Sequence, residues 1–214
     1  MEKLASFFAL MVLVSAVLNV ASPFLKFAIR LNMLQSWMLA FYILVVAISS
    51  GVFHLYLSFL ATLVFKGILI PILLFRVLKR TGRERELDMV ISIPSAVVIS
   101  GILIIISAIL LTKFGGLEFL FGRFVFVSSL STFFIGGMLL VIRKILFSQI
   151  LGLLIMENAI FLAANSAVTG MPLVVELGIL FDILVSILIA SVLLLRIMKN
   201  FEDIRVDDLE VLKE

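Results

Sequence analysis

Lys66, Glu157, Asp182 and Glu176 are ionisable side chains set in stretches of sequence that are otherwise almost continuously apolar. A charge at the centre of a membrane span costs roughly 2.5–3.5 kcal/mol, so each one invites a functional reading as a proton or ion relay. Depth sorts the four. Lys66 and Glu157 each stand twelve residues into an apolar run and Asp182 ten. At about 1.5 Å per residue, all three lie roughly 15–18 Å deep in a hydrocarbon core of about 30 Å. Glu176 stands only four residues in, roughly 6 Å from the end of its run, where it can reach water or act as a first-turn helix charge.

A second pattern leads to Lys66. His54, Ser58, Thr62 and Lys66 recur at i, i+4, a spacing that lines one face of a helix with polar groups. Such a file fits a hydrated or hydrogen-bonded path from the mouth of the span to the lysine. The alternative is that the two hydroxyls bond back to their own helix and His54 is an interfacial residue. Lys66 is too deep to snorkel, so it calls for a carboxylate or water partner. Low-dielectric surroundings disfavour the charged form of each buried group, and a relay of such groups needs no cofactor. The rival reading is one buried ion pair that fixes packing. Asn158 and Asn165 fall on one face at i, i+7, with Ser148 and Gln149 about two turns earlier; these read as interhelical hydrogen bonds. Gly136–Gly137 with Ser128, Ser129, Ser131 and Thr132 read as close helix packing.

The elements that must position these groups are transmembrane helices. Of the 214 residues, 64% are hydrophobic and 14% charged, against about 45–50% and about 25% in soluble domains. That composition excludes an ordinary soluble enzyme and a disordered chain. With no cysteine and one histidine, the chain cannot supply thiolate chemistry, iron–sulfur ligation or a zinc or haem site of its own. Redox chemistry therefore belongs to a partner. Seven windows are long and apolar enough to cross, at 4–22, 29–50, 54–78, 89–112, 119–141, 145–168 and 172–198. The fold expected is all-α, a polytopic bundle of about seven helices spanning 1–199, followed by an acidic tail at 200–214. The breaks fall at Ser22–Pro23, Ser49–Gly51, the charged run 79–88, Gly115–Gly116, Arg143–Lys144 and Gly170–Pro172. Lys3 precedes the first apolar run as in a secretory signal, but no small-residue cleavage site ends it, so a retained helix is expected.

Basic residues test the count. Threading seven spans puts thirteen of the 17 on one side and only Lys3, Lys113 and Arg123 on the other, with Lys66 inside a span. The positive-inside rule then places the N-terminus outside and the C-terminal tail in the cytoplasm. The net charge of +3 is accounted for by juxtamembrane anchors, with no nucleic-acid partner implied. A weak parallel repeat pairs Ile29–Arg30 with Ile142–Arg143 and the run 73–79 with 193–199.

The segments 65–71, 156–164 and 172–182 carry a resemblance. The chain resembles hydrogenase-4 component E, a membrane subunit of formate hydrogenlyase-type and other energy-converting hydrogenases. The unit at about 142–199 is similar to the K-type subunit of complex I and the C-type subunit of multisubunit cation/proton antiporters. The K-type pattern has its first glutamate two residues after a glycine. Here that position is Leu154, and the carboxylate comes one turn later at Glu157; the second glutamate falls closest to Asp182. The resemblance implies a prokaryotic plasma-membrane subunit without a redox centre, working in coupled H⁺ or Na⁺ movement. It implies nickel–iron and iron–sulfur clusters on partner subunits, antiporter-like neighbours, and a further membrane subunit that anchors the hydrogenase arm. Two rivals stand beside it: a purely structural anchor of that complex, and an independent small transporter with a polar pocket near Lys66.

Overall fold

Twenty mostly apolar residues with no interior proline form α1 (Glu2–Ala21), and Pro23 marks the turn that follows it. In this computed structural model residues 1–81, 89–113 and 122–167 are described. After an extended Ser22 and Phe24, α2 runs over Leu25–Ser50 and ends at Gly51. The φ of 68° at Gly51 is a left-handed C-cap that glycine adopts without a Cβ penalty. The third crossing is composite: α3 (Phe53–Ala61), a π-helical segment (Thr62–Leu69) and α4 (Ile70–Thr81). Then come α5 (Ile93–Lys113), α6 (Arg123–Ile142) and α7 (Leu146–Ala167). Ser92 Oγ accepts the N–H of Ser95 at the start of α5, and Pro94 sits in the first turn, where its missing N–H costs nothing.

The described residues thus form an all-helical bundle with six helices long and apolar enough to cross a membrane. The window expected at 172–198, the tail, Asp182 and Glu176 lie outside the described residues. Two boundaries differ from the hydropathy windows. α2 begins at Leu25 rather than 29, taking Lys26 and Arg30 into its first turns. The fourth window loses its first residues: Met89 pairs with Arg143 in an antiparallel bridge, and Val90 N–H donates to Ile142 O.

α2 is central, packing on α1, the whole third crossing and α7, while α6 lies between α7 and α1 and α5 leans on α6 and α1. The core divides by height. One apolar cluster joins Leu39–Ala47 of α2 with Leu55 and Ala61 of α3 and Phe161 and Leu162 of α7. A second joins Leu25, Ala28 and Ile29 with Ile70, Leu74 and Leu78 of α4 and Phe147, Leu151 and Leu154 of α7. Between the two, at the middle of the bundle, the same helices bury Asn32, Gln35, Ser36, Thr62, Lys66, Glu157 and Asn158.

Arg143 departs from expectation. Its neighbour Lys144 is exposed as a loop residue should be, but Arg143 is buried. Its Nη2 donates to Asn19 O (3.2 Å), Val20 O (3.2 Å) and Ser22 O (2.9 Å), carbonyls at and just past the C-terminal end of α1, where intrahelical donors run out. A cation there also complements the helix dipole. Arg143→Ala should lower stability by about 2–3 kcal/mol, the value of charged hydrogen bonds lost in a buried setting. A thermal melt of the detergent-purified chain reads it, with Arg143→Lys recovering part.

Candidate functional site

Pro71 and Gly67 shape the wall that carries Lys66. In an α-helix the carbonyl of Gly67 would accept the N–H of residue 71, but Pro71 has none. The indole of Trp37, on α2, donates to Gly67 O instead, at 3.1 Å. Gly67 makes this approach possible, since a Cβ there would lie 2.6 Å from the indole ring. The backbone over Thr62–Leu69 opens into the wider π turn, a local irregularity that recurs at functional sites. Trp37 is the sole tryptophan, so its emission reports on this contact. Pro71→Ala restores a competing N–H and should shift that emission; an unchanged spectrum would show that the indole contact does not depend on the missing donor.

The structure brings Lys66 and Glu157 together. Nζ lies 2.5 Å from Glu157 Oε1, with both side chains buried. It also lies 3.4 Å from Asn158 Oδ1 and 4.0 Å from the centroid of the Phe161 ring. Three successive groups on one face of α7 therefore enclose the ammonium with a carboxylate, an amide oxygen and an aromatic face. Glu157 Oε2 has no hydrogen-bond partner among the described residues. Asn158 extends the site to α2: its Nδ2 donates to Gln35 Oε1 (3.1 Å) and Ser36 Oγ (3.3 Å). Gln35 Nε2 in turn donates to Val12 O of α1 (3.0 Å), and Ser36 Oγ donates to Asn32 O (3.1 Å).

His54, Ser58 and Thr62 occupy the face of the third crossing that leads to Lys66. The back-bonding alternative fails for the two hydroxyls. Ser15, Ser100, Ser131 and Thr132 each return their hydroxyl to a carbonyl of their own helix. Ser58 Oγ and Thr62 Oγ1, buried like them, have no hydrogen-bond partner among the described residues, and neither has His54 Nε2. Buried hydroxyls with spare capacity are positions where ordered water binds.

Other expectations divide. Asn158 makes the interhelical bonds expected of it, whereas Asn165 Nδ2 bonds back to Phe161 O (2.9 Å). Gln149 closes a local loop, donating to Arg143 O (2.9 Å). Gly136 does pack closely, facing Gly152 and Met156 of α7. Sequence reasoning passed over Asn32, Gln35, Ser36 and Trp37. The signal was available as polar groups at i, i+3 and i+4 within a long apolar helix, where each unpaired group is costly.

No protein-family model, curated protein or solved structure matches the chain.

Proposed function

We propose that the chain is a non-redox integral membrane subunit of a membrane-bound hydrogenase complex of the formate hydrogenlyase type. It sits in the plasma membrane of a prokaryote with seven crossings, its N-terminus outside and its C-terminus in the cytoplasm, as the distribution of basic residues supports. Its buried charges take part in coupled H⁺ or Na⁺ translocation. The observation that best supports this reading is the Lys66–Glu157 pair: two ionisable groups at mid-height of an apolar bundle, approached by a face of hydroxyls that have no partner among the described residues. Intramembrane ionisable groups are expensive to insert and are retained where a charge must move or respond. With no cysteine and one histidine, electron transfer falls to partners that carry nickel–iron and iron–sulfur clusters. The resemblance of segments 65–71 and 156–164 to the component E family supports the assignment to such a complex, with Asp182 and Glu176 as further relay groups.

Co-purification tests this directly. Tagged protein extracted in mild detergent should bring down a nickel–iron hydrogenase pair and an antiporter-like membrane protein. A chain that purifies alone would overturn the assignment and favour an independent transporter. A structural-anchor reading has its own support, since the network through Lys66, Asn158, Gln35 and Val12 O ties the third crossing to α7, α2 and α1. It predicts that substitutions in the network lower complex yield and leave turnover per complex unchanged.

A further inference from the structure

We infer that the Lys66–Glu157 pair communicates with water from one end of the bundle only, the end at which His54 lies. The two halves of the third crossing make the case. At i, i+4 spacing one face reads His54, Ser58, Thr62, Lys66, then Ile70, Leu74, Leu78. On the His54 side of the lysine each position carries a polar atom without a hydrogen-bond partner among the described residues. On the far side all three positions are buried hydrocarbon, packed in the cluster that includes Phe147, Leu151 and Leu154 of α7. The facing helix repeats much of the asymmetry: α7 sets Phe147, Leu151 and Leu154 against this cluster, with the buried Ser148 at its outer end, and carries Asn165 and Ser166 beyond the pair.

The polar groups of α2 beside the pair do not bridge this apolar half. Gln35, Ser36 and Asn158 spend their donors on one another and on carbonyls. One turn toward the far end Asn32 Nδ2 has no hydrogen-bond partner among the described residues, but beyond it Ile29, Ala28 and Leu25 are buried hydrocarbon, and Asn19 gives its Nδ2 to Ala28 O (3.1 Å). At that end stands the buried guanidinium of Arg143, held by three carbonyls, a fixed positive charge that repels entering cations. Water binds to spare polar capacity and is excluded from well-packed hydrocarbon. Alone, this described part of the chain therefore leads polar groups to the pair from one end only, and the small cavity at the other end stops at Leu25, Ala28 and Leu151. A complete transmembrane route requires a second element to meet the pair from the side.

This inference rests on reading the pair as one that exchanges ions, but its test does not use pumping. The chain has no native cysteine, so single cysteines can be introduced into the full-length protein in membrane vesicles of both orientations. A charged, membrane-impermeant methanethiosulfonate is the probe. Phe53→Cys and Lys144→Cys, both at exposed positions, identify the two ends. Ser58→Cys and Thr62→Cys should react from the Phe53 end, at rates at least about tenfold above Ile70→Cys and Leu74→Cys from either end. Labelling of positions 70 or 74 from the Lys144 end at a rate comparable with 58 and 62 would overturn the inference. Failure of 58 and 62 to react from the Phe53 end would overturn it equally. As a second measurement, Ile70→Thr with Leu74→Ser extends the hydroxyl face and should raise passive proton leak into vesicles; an unchanged leak counts against the hydrocarbon seal. One-sided labelling in a protein whose Glu157→Gln variant still pumps would leave the access asymmetry standing and refute the relay.

Discussion

Glu157→Gln should abolish the proposed coupled ion translocation while the proposed hydrogenase complex still assembles. The substitution keeps the shape of the side chain and removes the charge that faces Lys66 at 2.5 Å. If that charge contributes more than about 1.4 kcal/mol to a step of the transfer, translocation per turnover falls on the order of tenfold or more. Truncation is a different experiment. Glu157→Ala leaves a buried ammonium without its counter-charge, which costs about 3–5 kcal/mol and should reduce the yield of folded protein. The decisive variant is the double replacement Lys66→Met with Glu157→Met. Exchanging a buried pair for apolar groups of similar size is often neutral or stabilising, so fold and assembly should survive. A relay predicts an assembled, stable complex that does not move ions. A structural anchor predicts full activity. Ion uptake by vesicles, normalised to hydrogenase turnover, separates the two.

Gly136→Ala should be the most damaging single methyl group in the bundle. A Cβ at Gly136 would lie 2.7 Å from Met156 Cγ, 2.8 Å from Met156 N and 2.9 Å from Gly152 O. Two of these atoms are backbone, so no rotamer change relieves the overlap and α6 must move away from α7. Overpacking of this kind costs about 1–3 kcal/mol, and the upper part of that range is expected here. Met156 immediately precedes Glu157, so the same displacement pulls the carboxylate from its seat against Lys66. Gly137→Ala is the matched control: its nearest contacts are Met156 Sδ at 3.8 Å and Cε at 4.0 Å. Replacing that helical glycine should be neutral or stabilising by about 0.5–1 kcal/mol, because alanine loses less backbone freedom on folding. Thermal melting of the two purified variants, side by side, checks the contrast.

These effects bear on what the sequence could reveal. Six of the crossings were visible as apolar runs because lipid permits little else over twenty residues. The depth of Lys66 and Glu157 followed from counting residues at helical rise. Their contact did not, since hydropathy carries no information about which helices are neighbours. Arg143 was misplaced for a related reason. A basic residue between two apolar runs reads as a loop anchor, and only the tertiary fold shows the end of α1 arriving with three carbonyls for it to bind. The π segment was also hidden, although Gly67 and Pro71 were both in view. It is accompanied by a bond from Trp37, 30 residues away along the chain, which supplies the donor that proline withholds. Asn158 shows the intermediate case: the residue type announced an interhelical bond, and the structure supplied Gln35 and Ser36 as partners.

The wider turn at Thr62–Leu69 also governs aim. In a regular α-helix four residues overshoot a full revolution by about 40°, so a file at i, i+4 winds steadily away from the neighbour it starts against. The π turn takes up that overshoot at the point where Lys66 must meet Glu157. The segment behaves as one residue more than an α-helix would need. Deleting a single apolar residue from it, such as Val64, would remove no charge and leave the run hydrophobic enough to insert. It would nonetheless close the wide turn to a regular α-helix, leave Ile70 and the residues after it on their face, and move the lysine off the face it shares with Ser58 and Thr62. Length within this segment is therefore constrained to the single residue, while the identity of its lipid-facing side chains is free to drift.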